Sequence, residues 1–412
     1  MSPVQRAGIL PAALALLALS WIAIFLLDPW ADERVSDLFL FHSTAELFLD
    51  GFLPYRDVPF EYPPLAAPVI ALPGLAGGGE DGYRLAFGLL MAALAAAAIV
   101  LAGRLATQTG GDRRLALLAM ALAPLLTGAM VRTHFDLAAV VLVLAALSAI
   151  LSGRTGLGFA CLGAGAMLKL FPLVVAPIAL AWLLAREERG VAVRGAAVLG
   201  LTLAALALPA LVLSPEGALD AVRYQAERPV QVESSPATVL LALDAVGGGA
   251  AQSVHSHRSD GLEHAGSELV VALFAGILIG VVALLAVAAT RPSESRDSAP
   301  RALVLASLAA VAAVAAFGKV LSPQFLVWAL PLLALALAWR LYPLAAAGAA
   351  AVVLTFVEFP ARYFDVVARE PLPVALVAGR NLALLGAVAL AGRALLRGGS
   401  SARAGAVAPR RA

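Results

Sequence analysis

What most constrains this chain is a set of long stretches without a single ionisable side chain, among them Ile9 to Leu27, Gly195 to Leu213, Leu269 to Thr290 and Ala302 to Gly318. A helix of roughly 20 apolar residues matches the hydrocarbon thickness of a bilayer. Lipid offers the backbone no hydrogen bonds, so a chain that strings many such blocks together must satisfy its own, and does so as helices. Composition agrees, with 61% apolar and 14% charged residues against roughly 45–50% and about 25% in soluble domains. The fold is therefore read as all-α, a polytopic integral membrane helical bundle with no appended soluble domain.

Hydropathy predicts about 12 transmembrane or re-entrant helices, over 8–27, 83–106, 115–130, 135–152, 156–168, 173–185, 193–213, 267–290, 302–317, 324–339, 342–358 and 373–391. The first is read as an uncleaved span, because no small-x-small cleavage site follows its long apolar run. The stretch 156–185 starts and ends beside arginines, which predicts two short helices joined at Lys169-Leu170-Phe171-Pro172 and packed inside the bundle. Residues 65–79, with Pro68 and Pro73, read as a re-entrant or interfacial piece. With the N-terminus inside, Arg6, Arg104, Arg113, Arg114, Arg154, Arg186, Arg189, Arg194, Arg291, Arg296, Arg301, Arg340, Arg393, Arg397, Arg403, Arg410 and Arg411 crowd the cytoplasmic side, as the positive-inside rule requires. One membrane domain then covers 1–396, with extracytoplasmic loops at 28–82 and 214–266 and a basic cytoplasmic tail at 397–412. Within the second loop, 247–266 reads as a flexible segment.

The polar chemistry collects on the extracytoplasmic side. Between Arg34 and Leu65, Asp37 sits at the exit of the first span. Leu38, Phe41, Ala45, Phe48 and Phe52 then recur at helical spacing, as in a helix lying in the interface. Tyr55, Arg56, Asp57, Glu61 and Tyr62 follow among four prolines. Asp37 reads either as a helix N-cap or as a general base placed where lipid-borne and polar substrates meet. Asp136, near Arg132 and His134 at the start of a span, needs either an ion-pair partner such as Arg132 or a ligand. Lys169 and Lys319 are the only lysines in an arginine-rich chain, and both fall at outer boundaries, suited to a phosphate or to snorkelling. Tyr224 to Ser235, containing Arg228 and Glu233, reads as a solvated surface helix or as a binder of sugar hydroxyls or phosphate. His255, His257 and His264 lack the spacing of a metal site, and Cys161, the single cysteine, forms no internal disulfide. No Walker loop, dinucleotide fingerprint or nucleophile elbow is present.

Several short motifs carry a resemblance. Asp37-Leu38 follows the first span, Gly51 to Tyr55 forms Gly-x-x-Pro-Tyr, and Phe60-Glu61-Tyr62-Pro63-Pro64-Leu65 comes next. Lys169 to Pro172 forms Lys-x-x-Pro, and Leu321-Ser322-Pro323-Gln324-Phe325 precedes Trp328. Together these resemble the GT-C superfamily, and within it glycosyltransferase family 87, the polyprenol-phosphate-mannose-dependent alpha-mannosyltransferases. Phe41 departs from the family pattern, where an aromatic hydroxyl is common. The resemblance implies a GT-C-like bundle and inverting transfer of a hexose, mannose first, from a polyprenyl-phosphate-sugar donor to a glycolipid or envelope glycan. The reaction would face outward from the plasma membrane.

Asp37 would be the catalytic residue. The donor phosphate would meet Lys169, Lys319, Arg223 or Arg228. Sugar or acceptor contacts would come from Glu61, Tyr62, Arg132, His134, Asp136, Glu233 and Gln324. The implied partners are the donor, the acceptor and membrane lipids, with no nucleic acid or cofactor and no residue assigned to a metal. A multi-span transporter or lipid-carrier flippase is the rival reading. It predicts paired halves and midplane charges, whereas the charges here gather at one face.

Overall fold

The computed structural model of the protein describes residues 8–291 and 298–398. Arg6, Arg296, Arg403, Arg410, Arg411 and positions 399–412 of the basic tail lie outside the described residues. Helix α1 (Ile9–Leu26) leads to α2 (Leu38–Leu49), and α3 (Ala66–Ala71) continues as a 3-10 turn (Leu72–Ala76). The bundle then runs α4 (Gly79–Gln108), α5 (Arg113–Thr127), α6 (Met130–Thr133), α7 (Asp136–Leu151), α8 (Thr155–Ala166) and, after the 3-10 turn Phe171–Val174, α9 (Val175–Leu184). Next come α10 (Arg189–Leu213), α11 (Pro215–Glu227), β1 (Val230–Gln231), α12 (Ser235–Ala245), β2 (Gln252–Ser256) and β3 (Ser259–Glu263). The chain closes with α13 (Ser267–Ala289), α14 (Ser298–Phe317), a 3-10 segment (Pro323–Ala329), α15 (Leu330–Ala338), α16 (Tyr342–Glu358), α17 (Tyr363–Val367) and α18 (Pro371–Gly398).

Among the described residues, six helices are long and apolar enough to cross a membrane: α1, α4, α10, α13, α14 and α18. They are not equivalent. The most apolar window of α14 is 72% buried, against 6% in α10 and 11% in α13, so α14 is the axis of the bundle while α10 and α13 turn apolar side chains outward. Alanine and valine fill much of α14, and small side chains let helix backbones approach closely. Helices α9, α13 and α18 pack directly on it.

The expected pair of short helices at 156–185 is present as α8 and α9, with Lys169 in the turn between them. The expected span at 324–339 is instead a 3-10 segment and the nine-residue helix α15. At a rise of ~1.5 Å per residue α15 reaches only about half the hydrocarbon thickness. Pro323 and Pro331 interrupt regular α-helical bonding there.

Two ends of the bundle differ in kind. At one end Arg301 donates to the Thr109 and Gly110 carbonyls, the Trp339 indole donates to the Thr109 hydroxyl at 2.9 Å, Gln108 donates to the Ser152 hydroxyl at 2.9 Å, and Trp182 donates to the Ala299 carbonyl at 3.0 Å. Connections rich in arginine thus meet and lock one another. The other end gathers the segment after α1, the turn at 51–65, α11, the strands and the residues after α14 and α16. The stretch 247–266, expected to be flexible, is a hairpin: β2 and β3 pair antiparallel and β1 adds to the other edge of β3, with Val230 opposite Leu262. Leu262, Val230, Val232 and Val270 bury together beneath it, which supplies the apolar contact that the polar segment by itself lacks.

Candidate functional site

At the second end lies a cavity of about 570 Å³. Asp37 stands on one wall because α2 begins there, yet its side chain makes no capping bond. The Ser36 hydroxyl instead accepts the Leu38 N–H at 3.1 Å, which frees the Asp37 carboxylate to face His134, whose Nε2 lies 3.5 Å from Oδ2. The other ring nitrogen, Nδ1, sits among acceptors, the Met130 carbonyl at 3.2 Å and the Thr133 hydroxyl oxygen at 2.9 Å. The Thr133 hydroxyl donates to the Ala129 carbonyl. The bonding pattern therefore assigns the hydrogen to Nδ1. Nε2 then faces the Asp37 carboxylate across 3.5 Å, where a proton or a donor hydroxyl would link the two.

The turn that follows α2 supplies Tyr55, Glu61 and Tyr62 to the cavity, while Arg56 and Asp57 pair with each other at 2.8 Å on the outside. Its path is fixed by the Tyr55 hydroxyl donating to the Tyr62 carbonyl at 2.6 Å, by the Leu65 N–H donating to the Met167 carbonyl at 2.8 Å, and by α11 seated against Tyr55. The seat requires glycine: a Cβ on Gly217 would lie 2.0 Å from the Tyr55 carbonyl oxygen. Phe41, Phe60 and Phe135 hold the Tyr62 ring edge-on. Burial, and then the nearby carboxylates of Asp37, Glu61 and Asp136, raise the Tyr62 phenol well above its ordinary range, so it stays a neutral hydrogen-bond donor.

Behind this wall Asp136 is almost wholly buried. It does not pair with Arg132, as sequence proximity suggested. Four residues apart would place both on one helical face, but α6 ends at Thr133 and His134 is extended, which turns Asp136 away. Arg132 instead pairs with Glu33 at 2.7 Å, donates to the Ile24 carbonyl at 3.0 Å and lies over Phe25; Glu33 also pairs with Arg84. Asp136 takes the Lys169 ammonium at 2.7 and 2.8 Å and the Trp328 indole N–H at 2.6 Å. Trp328 is stacked between Phe171 and Phe325, with centroids 4.0 and 4.1 Å away. Three distant segments are joined at one buried charge pair, and Lys169 still borders the cavity.

The cavity is also lined by Gln225, whose side-chain amide donates to the Glu61 carbonyl at 3.1 Å, and by Arg228, Gln231, Glu233, Gln324 and Tyr363. Gln231 accepts from Ser322 at 3.1 Å, and its backbone N–H donates to the Lys319 carbonyl at 3.0 Å. Glu233 is fully buried, 3.5 Å from the Arg380 guanidinium. Burial first, and the neighbouring Glu358 carboxyl second, raise Glu233 well above the carboxylate range, with Arg380 opposing. The hairpin tip also reaches the cavity through His257, Arg258 and Ser259. Both turn residues are left-handed, at φ 51 and 52°, a conformation that costs a non-glycine residue about 1–2 kcal/mol.

Of the residues singled out in the sequence, Asp37, Glu61, Tyr62, His134, Lys169, Arg228, Glu233 and Gln324 meet at this cavity, with Asp136 just behind it. Lys319, Arg223 and Arg132 do not line it. The Lys319 ammonium caps the end of α11, donating to the Ala226 and Arg228 carbonyls at 2.6 and 2.8 Å. Arg223 pairs with Asp220 on the exposed side of α11. Sequence reasoning missed Arg258, Ser259 and Tyr363, while Gln231 fell within the Tyr224 to Ser235 stretch offered as a sugar or phosphate binder. Among the described residues no group of three or more His, Cys, Asp or Glu is placed to hold a metal ion.

Residues 60–323, well over half of the chain, match the model of glycosyltransferase family 87. The chain belongs to glycosyltransferase family 87. The matched segment includes every cavity residue named above from Glu61 to Pro323, while Asp37 precedes it and Gln324 follows it. No curated protein matches the chain. Among solved structures, the oligosaccharyltransferase of Archaeoglobus fulgidus tethered to an acceptor peptide is similar at 14% identity and a TM-score of 0.44, over 93% of this chain and 55% of that one. The chain thus spans little more than half the length of that structure.

Proposed function

We propose that this family 87 enzyme transfers a hexose, mannose as the first candidate, from a polyprenyl-phosphate-sugar to a hydroxyl of a lipid-linked or envelope glycan. The reaction inverts the anomeric centre and takes place at the extracytoplasmic face of the plasma membrane. The observation that carries the reading is a single cavity lined by a carboxylate unbound by any cap, by a cationic group and by an apolar flank. Asp37 is the first and Arg228 the second. Ala207, Ala210 and Leu211 of α10, with Ala218, Ala221 and Val222 of α11, form the flank. The outer side chains of α10, Leu208 and Val212 among them, are exposed, so the apolar flank continues onto a surface suited to an isoprenoid chain.

In the proposed mechanism the acceptor hydroxyl lies between Asp37 and His134, its hydrogen directed to the carboxylate. As its oxygen bonds to the anomeric carbon, the bond from that carbon to the phosphate oxygen breaks, and the electron pair leaves with the phosphate. Asp37 takes the hydroxyl proton, and His134 Nε2 holds an adjacent site to which that proton can pass. Tyr62, Glu61, Gln231 and Gln324 offer hydrogen bonds to sugar hydroxyls. The Lys169–Asp136 pair stiffens the wall while adding no net charge.

The test is incubation of purified protein with radiolabelled polyprenyl-phosphate-mannose and a membrane lipid extract. The expected result is label in a new glycolipid together with release of polyprenyl phosphate. Label that crosses sealed vesicles with its phosphate bond intact would replace the reading with that of a carrier. Donor hydrolysis or no turnover with any lipid-linked hexose would refute it.

A further inference from the structure

One group of side chains at the cavity is rich in donors and short of acceptors. The Ser259 hydroxyl is buried without a hydrogen-bond partner, as is Nε of Arg228. Arg228 has only a 3.5 Å contact to the Gln225 side-chain oxygen, and Arg258 borders the cavity without a described carboxylate partner. Other cations near the site are spent: Lys169 on Asp136, Arg132 on Glu33, Lys319 on two carbonyls. His257 is fixed beside Arg258 by the edge of Tyr224, 4.8 Å between centroids. Donors gathered without acceptors define a place for an oxyanion.

The hairpin delivers these groups in an unusual way. A two-residue turn with both residues left-handed ordinarily takes Asn-Gly or a similar pair, yet His257 and Arg258 occupy it at φ 51 and 52°. The base of the hairpin is held on both sides. Gln231 of β1 pairs opposite Gly261, while Asp260 accepts from the Tyr363 hydroxyl at 2.8 Å and faces His255 Nδ1 at 2.8 Å. The turn cannot relax by sliding its register without breaking those bonds, so two large side chains are kept at the tip against local backbone preference.

We propose that the tip of the β2–β3 hairpin is the leaving-group subsite: Arg258 and the Ser259 hydroxyl hold the phosphate from one side and Arg228 from the other. The inference rests on the donor being a polyprenyl-phosphate-sugar, as set out above. That donor is a phosphodiester with one negative charge. When the anomeric bond breaks, the phosphate keeps the electron pair and becomes a monoester, whose second pKa is about 6. A second cation is therefore needed only as the bond breaks. An interaction that strengthens in the transition state raises kcat more than it lowers KM. Arg258 supplies that cation.

The test replaces the tip with Asn-Gly, through His257→Asn together with Arg258→Gly. This substitution removes both side chains while favouring the observed turn, so the protein should melt no lower than wild type. Expected are a fall in kcat of about 10²-fold and a smaller change in KM for the donor. Affinity for farnesyl phosphate, used as a monoester probe at about pH 8, should fall by about tenfold or more. Arg258→Lys should recover part of both losses. Wild-type kcat and farnesyl phosphate affinity in the Asn-Gly protein, with transfer intact in wild type, would overturn the hairpin assignment alone. Wild-type protein that neither transfers sugar nor binds farnesyl phosphate would remove the donor reading and the hairpin subsite together.

Discussion

Asp37→Asn removes the basicity of one carboxylate while keeping its shape, and the structure separates what that should do to activity from what it should do to stability. General-base assistance is worth about 10²–10⁴-fold, or about 3–5 kcal/mol of barrier. Because the proton moves only as the new bond forms, the loss should appear in kcat, with KM for the donor little changed. Stability should move the other way from a capping residue. Removing a true N-cap costs about 0.5–2 kcal/mol, but the Asp37 side chain caps nothing, the Leu38 N–H goes to Ser36, and 39% of the Asp37 side chain is exposed. Both Asp37→Asn and Asp37→Ala should therefore stay within about 0.5 kcal/mol of wild type. Initial rates with labelled donor, run beside thermal melts of the same detergent-solubilised samples, read both quantities. A protein that loses stability on Asp37→Ala yet keeps a tenth or more of its kcat would show that Asp37 ends a helix and does no chemistry.

Lys169→Met should strand the buried Asp136 carboxylate and cost about 3–5 kcal/mol; Asp136→Asn with Lys169→Met should recover much of that stability, and an additive pair of losses would refute the coupling. Glu233 gives a pH prediction. Its carboxyl is raised well above the ordinary range by burial and by Glu358, so its protonated form is the one the fold favours. That contribution is complete below the unfolded value of about 4.3 and is lost as pH rises through the folded value. Glu233→Gln, neutral at every pH, should therefore gain in melting temperature relative to wild type as pH rises above about 4.5, and a difference flat in pH would refute the shift.

The helices were legible because their cause is local: a lipid-spanning block announces itself by the absence of charge, and arginines mark its ends. The two short helices at 156–185 followed from the same arithmetic. The hairpin was not legible, since its strands are largely polar and its turn lacks the glycine that ordinarily signals one. What makes it a hairpin is β1, which adds to its edge, and the apolar layer of Val230, Leu262 and Val270 below it. Asp37 and Glu61 could be singled out by their place in the polar stretch that leaves the first span, and Lys169 because lysine is rare in this chain. Arg258 could not, because among the 29 lysines and arginines nothing in its neighbourhood distinguishes it.

Which cation is engaged elsewhere is a property of tertiary packing. Lys169 and Lys319 stood out equally as rare residues, but one meets a carboxylate 33 positions earlier and the other closes the last turn of α11. A charge already matched lends rigidity and little field. An unmatched charge beside a cavity must either stay solvated or find a ligand. Sorting the site this way leaves Asp37 as the uncapped carboxylate of the cavity and Arg228 with Arg258 as its cations without a carboxylate partner. The proposed displacement with inversion asks that base and cations act from different sides, because the attacking hydroxyl and the departing phosphate must stand on opposite faces of the sugar. A carrier that moves the intact lipid has no need of a base across from its phosphate site, so loss of transfer on Asp37→Asn with farnesyl phosphate binding retained would distinguish the two in one protein.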